Sequence, residues 1–95
     1  MRLRWTSPAL RDLEAIGEFI AKDNPAAAAK TVTHILDLTG ALANHPHMGR
    51  AGRVPGTREL VITDTPFVVP YRVRDVSIEV LAVFHGARRW PEKFD

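Results

Sequence analysis

Residues 58–84 read RELVITDTPFVVPYRVRDVSIEVLAVF, and most of the predicted sheet lies in this stretch. It contains three runs rich in β-branched and aromatic residues, at 58–62, 67–73 and 76–84. Turn-forming residues separate the runs, so the pattern predicts an antiparallel meander of three strands. Pro70 has no amide hydrogen, and we therefore expect its strand to carry a bulge there or to turn that position away from a neighbour.

Two helices are predicted before this meander. Ser7-Pro8 and Asn24-Pro25 each combine a capping side chain with a proline, which is typical of a helix start. The first helix carries apolar residues at spacings of three and four, at Leu10, Leu13, Ile16 or Gly17, and Ile20. Residues 2–6 form a short strand before it. The order β-α-α-β-β-β predicts an α+β fold in which the helical hairpin packs on one face of the sheet.

Composition sets wider limits. A chain of 95 residues with 45% apolar and 25% charged residues fits one folded domain spanning residues 1–95. Without cysteine it has no disulfide or thiolate metal site, which agrees with a reducing compartment, and we expect a cytoplasmic protein. No apolar run approaches the roughly 20 residues needed to cross a bilayer, so we expect neither a membrane span nor an export signal.

The positive charge is concentrated in one part of the chain. The formal net charge is only +2, yet residues 50–58 contain three arginines and no acidic residue. Arginine is the planar, bidentate partner of phosphate and carboxylate, so this segment indicates an anionic partner. The alternative is a solvated surface.

Metal and cofactor sites are not predicted. His34, His45 and His47 lack the paired spacing of a metal site. Gly49, Gly52 and Gly56 do not match a phosphate-binding loop, and the sequence favours a flexible connection between helix and sheet there.

Four short segments, joined by the pair Tyr71-Arg72, carry a family resemblance: NPAAA at 24–28, PHMGR at 46–50, GTRELV at 56–61 and VFHGAR at 83–88. In this order they resemble the RelE/ParE toxin superfamily over nearly the whole chain. The resemblance implies a small bacterial toxin of a type II toxin–antitoxin system. Its partner would be a cognate antitoxin of the ParD or RelB kind with a DNA-binding domain, bound in a heteromeric complex.

The two branches of the superfamily imply different targets. ParE-like members poison DNA gyrase without catalysis of their own, whereas RelE-like members cut messenger RNA on the ribosome. RelE-like nucleases bring lysines to the sheet, but the lysines here are Lys22, Lys30 and Lys93. The helix break at residues 23–27 and the ending from His85 look more like ParE relatives, so we favour that branch. A third hypothesis is that the protein is a degenerate member that retains only antitoxin binding.

Each branch implies its own site residues. A RelE-like nuclease would use a group of basic side chains as catalysts: Arg58, Arg72, His85 and Arg88. If residues 76–84 form one continuous strand, His85 shares a face with Leu81 and Val83, and there it could meet Arg72. His85 could instead only bond a backbone carbonyl. A ParE-like toxin would bind its target through residues of the basic segment and the ending: Arg50, Arg53, Arg58, Arg88, Arg89 and Trp90.

Three of the neighbouring side chains have simpler interpretations. Trp90 is expected to pack on the edge of the core more readily than to contact a target. Tyr71 is expected to be packed rather than reactive. Glu59 alternates with Arg58 along its strand, and we expect it to be solvated or ion-paired rather than a general base.

Overall fold

A computed structural model describes residues 1–94. The chain forms a strand and two helices, then a series of strands: β1 (Arg2–Trp5), α1 (Ser7–Ala21), α2 (Pro25–Gly40), a short 3₁₀ helix (Ala41–Ala43), β2 (Arg50–Ala51), β3 (Arg58–Val61), β4 (Phe67–Arg74), β5 (Ser77–Val80) and β6 (Phe84–His85). The predicted α+β class is confirmed. Among residues 1–94, no helix combines the length and apolar character needed to cross a membrane.

Both helices begin at side-chain caps. Asn24 accepts a hydrogen bond from the Ala27 amide at 3.0 Å and Pro25 follows it, as predicted. The predicted cap of α1 is wrong by one residue, because Thr6 caps the helix and Ser7 is already helical. The Thr6 hydroxyl also donates to the Val80 carbonyl at 2.7 Å, so the residue that caps the helix also bonds to β5 beside the end of β1.

The helical hairpin buries a stripe that differs slightly from the predicted one. Ala9 and Leu13 are buried, whereas Leu10 remains 50% exposed, so the buried stripe passes through Ala9 rather than Leu10. Gly17 permits close approach of the helices, since a Cβ atom there would lie 3.2 Å from Val32 Cγ2. The hairpin therefore packs through small residues near its centre.

The sheet has the strand order β1-β5-β4-β3-β2. Strands β3, β4 and β5 form the predicted antiparallel meander, and β1 adds to β5 in parallel. Strand β2 lies within the segment expected to be a flexible connection. The helices cover one face of the sheet, where the core contains apolar side chains of four strands: Leu3, Trp5, Leu60, Val69, Tyr71, Ile78 and Val80.

A bulge interrupts the last predicted strand opposite Pro70. Tyr71 pairs with Val80 and Val68 pairs with Phe84, so two residues of β4 face the three residues 81–83. Pro70 cannot donate a hydrogen bond to this neighbour, and its carbonyl accepts one from the Leu81 amide at 2.9 Å. The bulge that Pro70 suggested thus lies on the partner strand.

The bulge reverses the alternation of side chains that follow it. Val83 joins the core, Phe84 points to the sheet face away from the helices, and His85 pairs with Phe67 on the helix-facing side. The Val83 amide, which does not follow the regular ladder, donates to Asp12 Oδ2 of α1 at 3.0 Å. The prediction of one continuous strand over residues 76–84 is therefore wrong.

Candidate functional site

We call the sheet surface turned away from the helices the outer face. Successive side chains of a strand point to opposite sheet faces, so the residues that alternate with the core residues point to the outer face. Two acidic residues, Glu59 and Glu79, lie on it among arginines from β1, β2 and β4: Arg2, Arg4, Arg50, Arg72 and Arg74. The basic character predicted for residues 50–58 thus extends over much of the sheet.

Glu59 is the centre of the first arginine cluster. Its side chain is 1% exposed, and its Oε1 atom accepts from Arg50 Nη2 at 3.0 Å. Its Oε2 atom accepts from the Arg53 backbone amide at 2.7 Å and lies 3.5 Å from Arg53 Nε. Glu59 was expected to be either solvated or ion-paired, and it is ion-paired and buried. It fixes the segment between β2 and β3 in place.

Arg53 joins this cluster to the end of the chain. Its guanidinium carbon lies 3.9 Å from the centroid of the Trp90 ring, and its Nη1 atom donates to the Gly86 carbonyl at 3.2 Å. Trp90 packs edge-on against Phe84 with 5.2 Å between ring centroids, and Arg88 lies over Phe84 at 4.7 Å. We call Arg53, Phe84, Arg88 and Trp90 the aromatic cluster. The structure thus brings the basic segment and the ending together.

Trp90 behaves as predicted and adds an unexpected feature. It packs at the edge of the fold, where Phe94 also stacks on Phe84 at 6.1 Å between centroids. Its indole Nε1 atom is buried, and no described residue accepts a hydrogen bond from it. A buried donor without an acceptor costs about 1–3 kcal/mol, and this atom is too enclosed for a partner to reach in this conformation.

The four candidate catalytic residues do not converge. Arg72 lies on the outer face and its Nε atom donates to Glu79 Oε1 at 2.8 Å. His85 lies five residues away along β4, opposite Phe67, which is about 16 Å in an extended strand. The bulge also turns it to the other face. His85 Nδ1 accepts from the Ala87 amide at 3.1 Å, so its partner is an amide rather than the expected carbonyl.

Arg58 contacts the loop before β2 rather than the other three candidate catalytic residues. It pairs with Tyr71 on the helix-facing side of the sheet, and its Nη1 atom donates to the Gly49 carbonyl at 2.7 Å. The Tyr71 hydroxyl accepts from the Gly49 amide at 2.9 Å and donates to the Pro46 carbonyl at 2.8 Å. Burial raises the pKa of the Tyr71 phenol, although the Gly49 hydrogen bond opposes the shift, so the phenol stays a donor. Arg58 and Tyr71 together hold the loop before β2.

The glycines in this region stand where a side chain would clash or where the backbone has a positive φ. A Cβ atom on Gly49 would lie 2.7 Å from the Tyr71 ring, and one on Gly52 would lie 2.2 Å from Thr57 Oγ1. Gly56 has a φ of +79°, which glycine adopts without strain. His34 is occupied as well, because its Nε2 atom lies 2.8 Å from the Thr63 carbonyl oxygen.

Sequence reasoning missed Phe84, Glu59 and Asp12 as parts of the site. Phe84 reaches the outer face because the bulge reverses the alternation after Val80, and its role in the aromatic cluster depends on this reversal. The available signal was Pro70, whose missing amide indicates a break in regular pairing. Asp12 stands 71 residues before Val83 in the chain, and no local pattern connects them.

Comparison with known proteins now identifies the family. The family model described as ParE toxin of the type II toxin–antitoxin system parDE matches residues 3–90. The chain belongs to the ParE toxin family. The match covers all four residues of the aromatic cluster and Arg50 as well, so the cluster lies within the family domain.

Individual relatives agree with this assignment. The chain is 50% identical over 92 residues to the predicted toxin Y4kP of Sinorhizobium fredii, covering 96% of this chain and 94% of that protein. It is 34% identical over 84 residues to Toxin RelE2 of Caulobacter vibrioides, covering 88% and 93% of the two chains. A solved structure titled as a chromosomal ParDE system from P. aeruginosa superposes with a TM-score of 0.81 at 33% identity, covering 90% and 95%.

Proposed function

We propose that this ParE-family toxin inhibits DNA gyrase by binding it through the aromatic cluster, without catalysis of its own. The observation that carries the proposal is the contact of Arg53 with Trp90, which joins the basic segment and the ending into one surface. Arginine and tryptophan dominate the energetics of protein interfaces. Membership in the ParE family supports gyrase as the target.

The other predicted binding residues contribute unequally under this proposal. Arg88 belongs to the cluster, and exposed Arg89 extends it along the tail. Arg50 lies beside it, because Glu59 pairs with both Arg50 and Arg53. Arg58 is committed to the carbonyls of His47 and Gly49, so we assign it a supporting role in the loop rather than a contact with the target.

An antitoxin partner follows from membership in a toxin–antitoxin family. We propose that an acidic, amphipathic antitoxin segment occupies the groove between the start of α1 and the tail. Apolar side chains line this groove, among them Pro8, Ala82, Phe84 and Phe94, and Lys93 adds a positive charge. Because Phe84 also belongs to the aromatic cluster, an antitoxin bound there would compete with the target. Burial in the groove would supply affinity, and Lys93 together with Arg88, which lies over Phe84, would supply speed and selectivity.

The test is a supercoiling assay with purified gyrase and this toxin. The proposal predicts that supercoiling stops and that cleaved DNA–gyrase complexes accumulate, and that added antitoxin restores supercoiling. Normal supercoiling with excess toxin would show that gyrase is not the target.

Ribosome-dependent cleavage of messenger RNA is the second candidate, favoured by the relationship to a protein named RelE2. It requires a group that takes the 2′-hydroxyl proton and a cation near the phosphate. Arg72 and His85 point to opposite sheet faces, which weighs against their acting together. Mapping RNA 5′ ends in cells that express the toxin tests this candidate. New ends within translated codons, lost in Arg88→Ala, would favour it over gyrase inhibition.

A further inference from the structure

A second group of arginines lies on β1 and β4, on either side of β5, at the part of the outer face where the N-terminal strand joins the sheet. Arg2 pairs with Ser77 and Arg4 with Glu79 across β1 and β5. Across β4 and β5, Arg72 pairs with Glu79 and Arg74 with Ser77. All six positions that the pairing brings together are polar or charged. We call Arg2, Arg4, Arg72, Arg74 and Glu79 the arginine patch.

Glu79 orients three of these arginines at once. Its carboxylate accepts from Arg4 Nη2 and, at 2.8 and 3.2 Å, lies against the Nε atoms of Arg72 and Arg74. The hydrogen bond from Arg72 is the main cause that lowers the pKa of Glu79, so this carboxylate is ionised at neutral pH. Four guanidinium groups around one carboxylate leave an excess of three positive charges.

Most of the donors in the patch face water. The side chains of Arg4 and Arg74 are 60% and 58% exposed although both contact Glu79. Each guanidinium has five N–H donors, while one carboxylate offers about four acceptor positions. Glu79 therefore restrains the arginines without using up their capacity to bind an anion.

We infer that the arginine patch binds the phosphate backbone of nucleic acid at a site separate from the aromatic cluster. Arginine presents a planar fork that matches phosphate oxygens, and its restraint by Glu79 reduces the conformational entropy lost on binding. Arg2, Arg4 and Arg74 make the contacts, whereas Arg72 and Glu79 position them. This inference does not depend on gyrase as the target.

The composition of the patch favours nucleic acid over an acidic protein segment. Protein interfaces have an apolar core in which aromatic residues are enriched, and the aromatic cluster offers such residues. Surfaces that bind nucleic acid are more polar and more positive. The six paired positions of the patch contain arginine, serine and glutamate alone. The two parts of the outer face therefore suit different kinds of partner.

Fluorescence anisotropy with a labelled 20-base-pair duplex tests the inference on the toxin alone. Binding without sequence preference is expected, with a Kd on the order of 10⁻⁵ M. The logarithm of affinity should fall with the logarithm of salt concentration with a slope of about −3, for three phosphate contacts at about −0.9 each. A labelled single-stranded RNA of equal length distinguishes the source of the phosphates, and binding of either nucleic acid supports the inference.

Two matched double variants test whether the arginine patch is the binding site. R4Q/R74Q should reduce the salt slope by about two and weaken binding at low salt, because two phosphate contacts are lost. The control R11Q/K30Q removes the same charge from exposed positions on the helices and should leave the slope unchanged. Far-ultraviolet circular dichroism checks that each variant is folded.

Three results would overturn the inference. These are no binding to either nucleic acid at low salt, an equal loss in the helix control, and tighter binding of a labelled polyglutamate peptide than of the duplex. The first two would reduce the patch to a solvated surface, and the third would make an acidic protein its partner. Because no gyrase is present in this assay, each result leaves the gyrase proposal to its own test.

Discussion

Glu59 and Glu79 both hold arginines on the outer face, yet their surroundings differ. Glu59 is 1% exposed, and its partner Arg53 continues onto Trp90. Glu79 is 14% exposed and its partners Arg4 and Arg74 extend into water. The difference lies in the carboxylates, because Arg50 is as exposed as the partners of Glu79. A buried carboxylate that also holds a backbone amide fixes the shape of a surface, whereas a more exposed one mainly sets its charge. The same pair of residue types thus holds a loop and the aromatic cluster in place at one position and builds a charged patch at another.

Removing the two carboxylates should separate these roles most strongly. Glu59→Ala should lower the free energy of unfolding by about 2–4 kcal/mol, because charge-assisted hydrogen bonds from Arg50 and from the Arg53 amide are lost in a buried place. Glu79→Ala should cost about 1 kcal/mol or less, as is typical of more exposed ion pairs. Urea unfolding measures both. Equal losses would contradict the distinction between the clusters.

Tyr71→Phe tests whether the Tyr71 hydroxyl, on the helix-facing side of the sheet, holds the loop before β2. The substitution leaves the Gly49 amide and the Pro46 carbonyl without their shared partner, and we expect a loss of about 1–3 kcal/mol. Amide hydrogen exchange at Gly49 should speed up, while exchange in β5 should be unchanged. Unaltered exchange at Gly49 would show that Tyr71 is not the restraint.

Asp12→Ala tests how the bulge places the aromatic cluster. Without its acceptor the Val83 amide is unpaired, and we expect a loss of about 1–2 kcal/mol together with a shifted Trp90 indole resonance in nuclear magnetic resonance spectra. Glu14→Ala, on an exposed position of the same helix, should shift neither. An unmoved Trp90 signal in the Asp12 variant would mean that the bulge stands without this contact.

The pH dependence of Glu79 is the smallest expected effect. Its pKa in the folded chain is lowered below the ordinary value of 4.5, chiefly by Arg72, so the unfolded chain binds its proton more readily. Its contribution to stability is therefore complete above that ordinary value and is lost as the pH falls through the lower folded value. Glu79→Gln should make stability fall less between pH 5 and 3, measured by urea unfolding. An unchanged pH dependence would contradict this assignment.

Local patterns were enough to predict much of the fold. Asn24-Pro25 marked the start of α2, and the β-branched runs around Asp64 and Asp75 gave the meander, because caps and turns depend on neighbouring residues. The parallel pairing of β1 with β5 joins residues about 75 positions apart and leaves no local signal.

The site was harder to predict because it depends on alternation across a break. Pro70 indicated that pairing would be disturbed, but not which strand would hold the extra residue. That choice put Phe84 beside Trp90 and took His85 away from Arg72. The burial of Glu59 also could not be predicted, since its alternation with Arg58 fits an exposed side chain equally well.

We propose that Arg53 and Trp90 form the contact with gyrase. The direct measurement is the toxin concentration that half-inhibits supercoiling, compared among the unaltered toxin, Arg53→Ala and the exposed helix control Arg11→Ala. We predict an increase of at least about tenfold for Arg53→Ala, as expected for a residue that contributes 1.4 kcal/mol or more to binding, and no change for Arg11→Ala. Equal inhibition by all three folded proteins would contradict the claim.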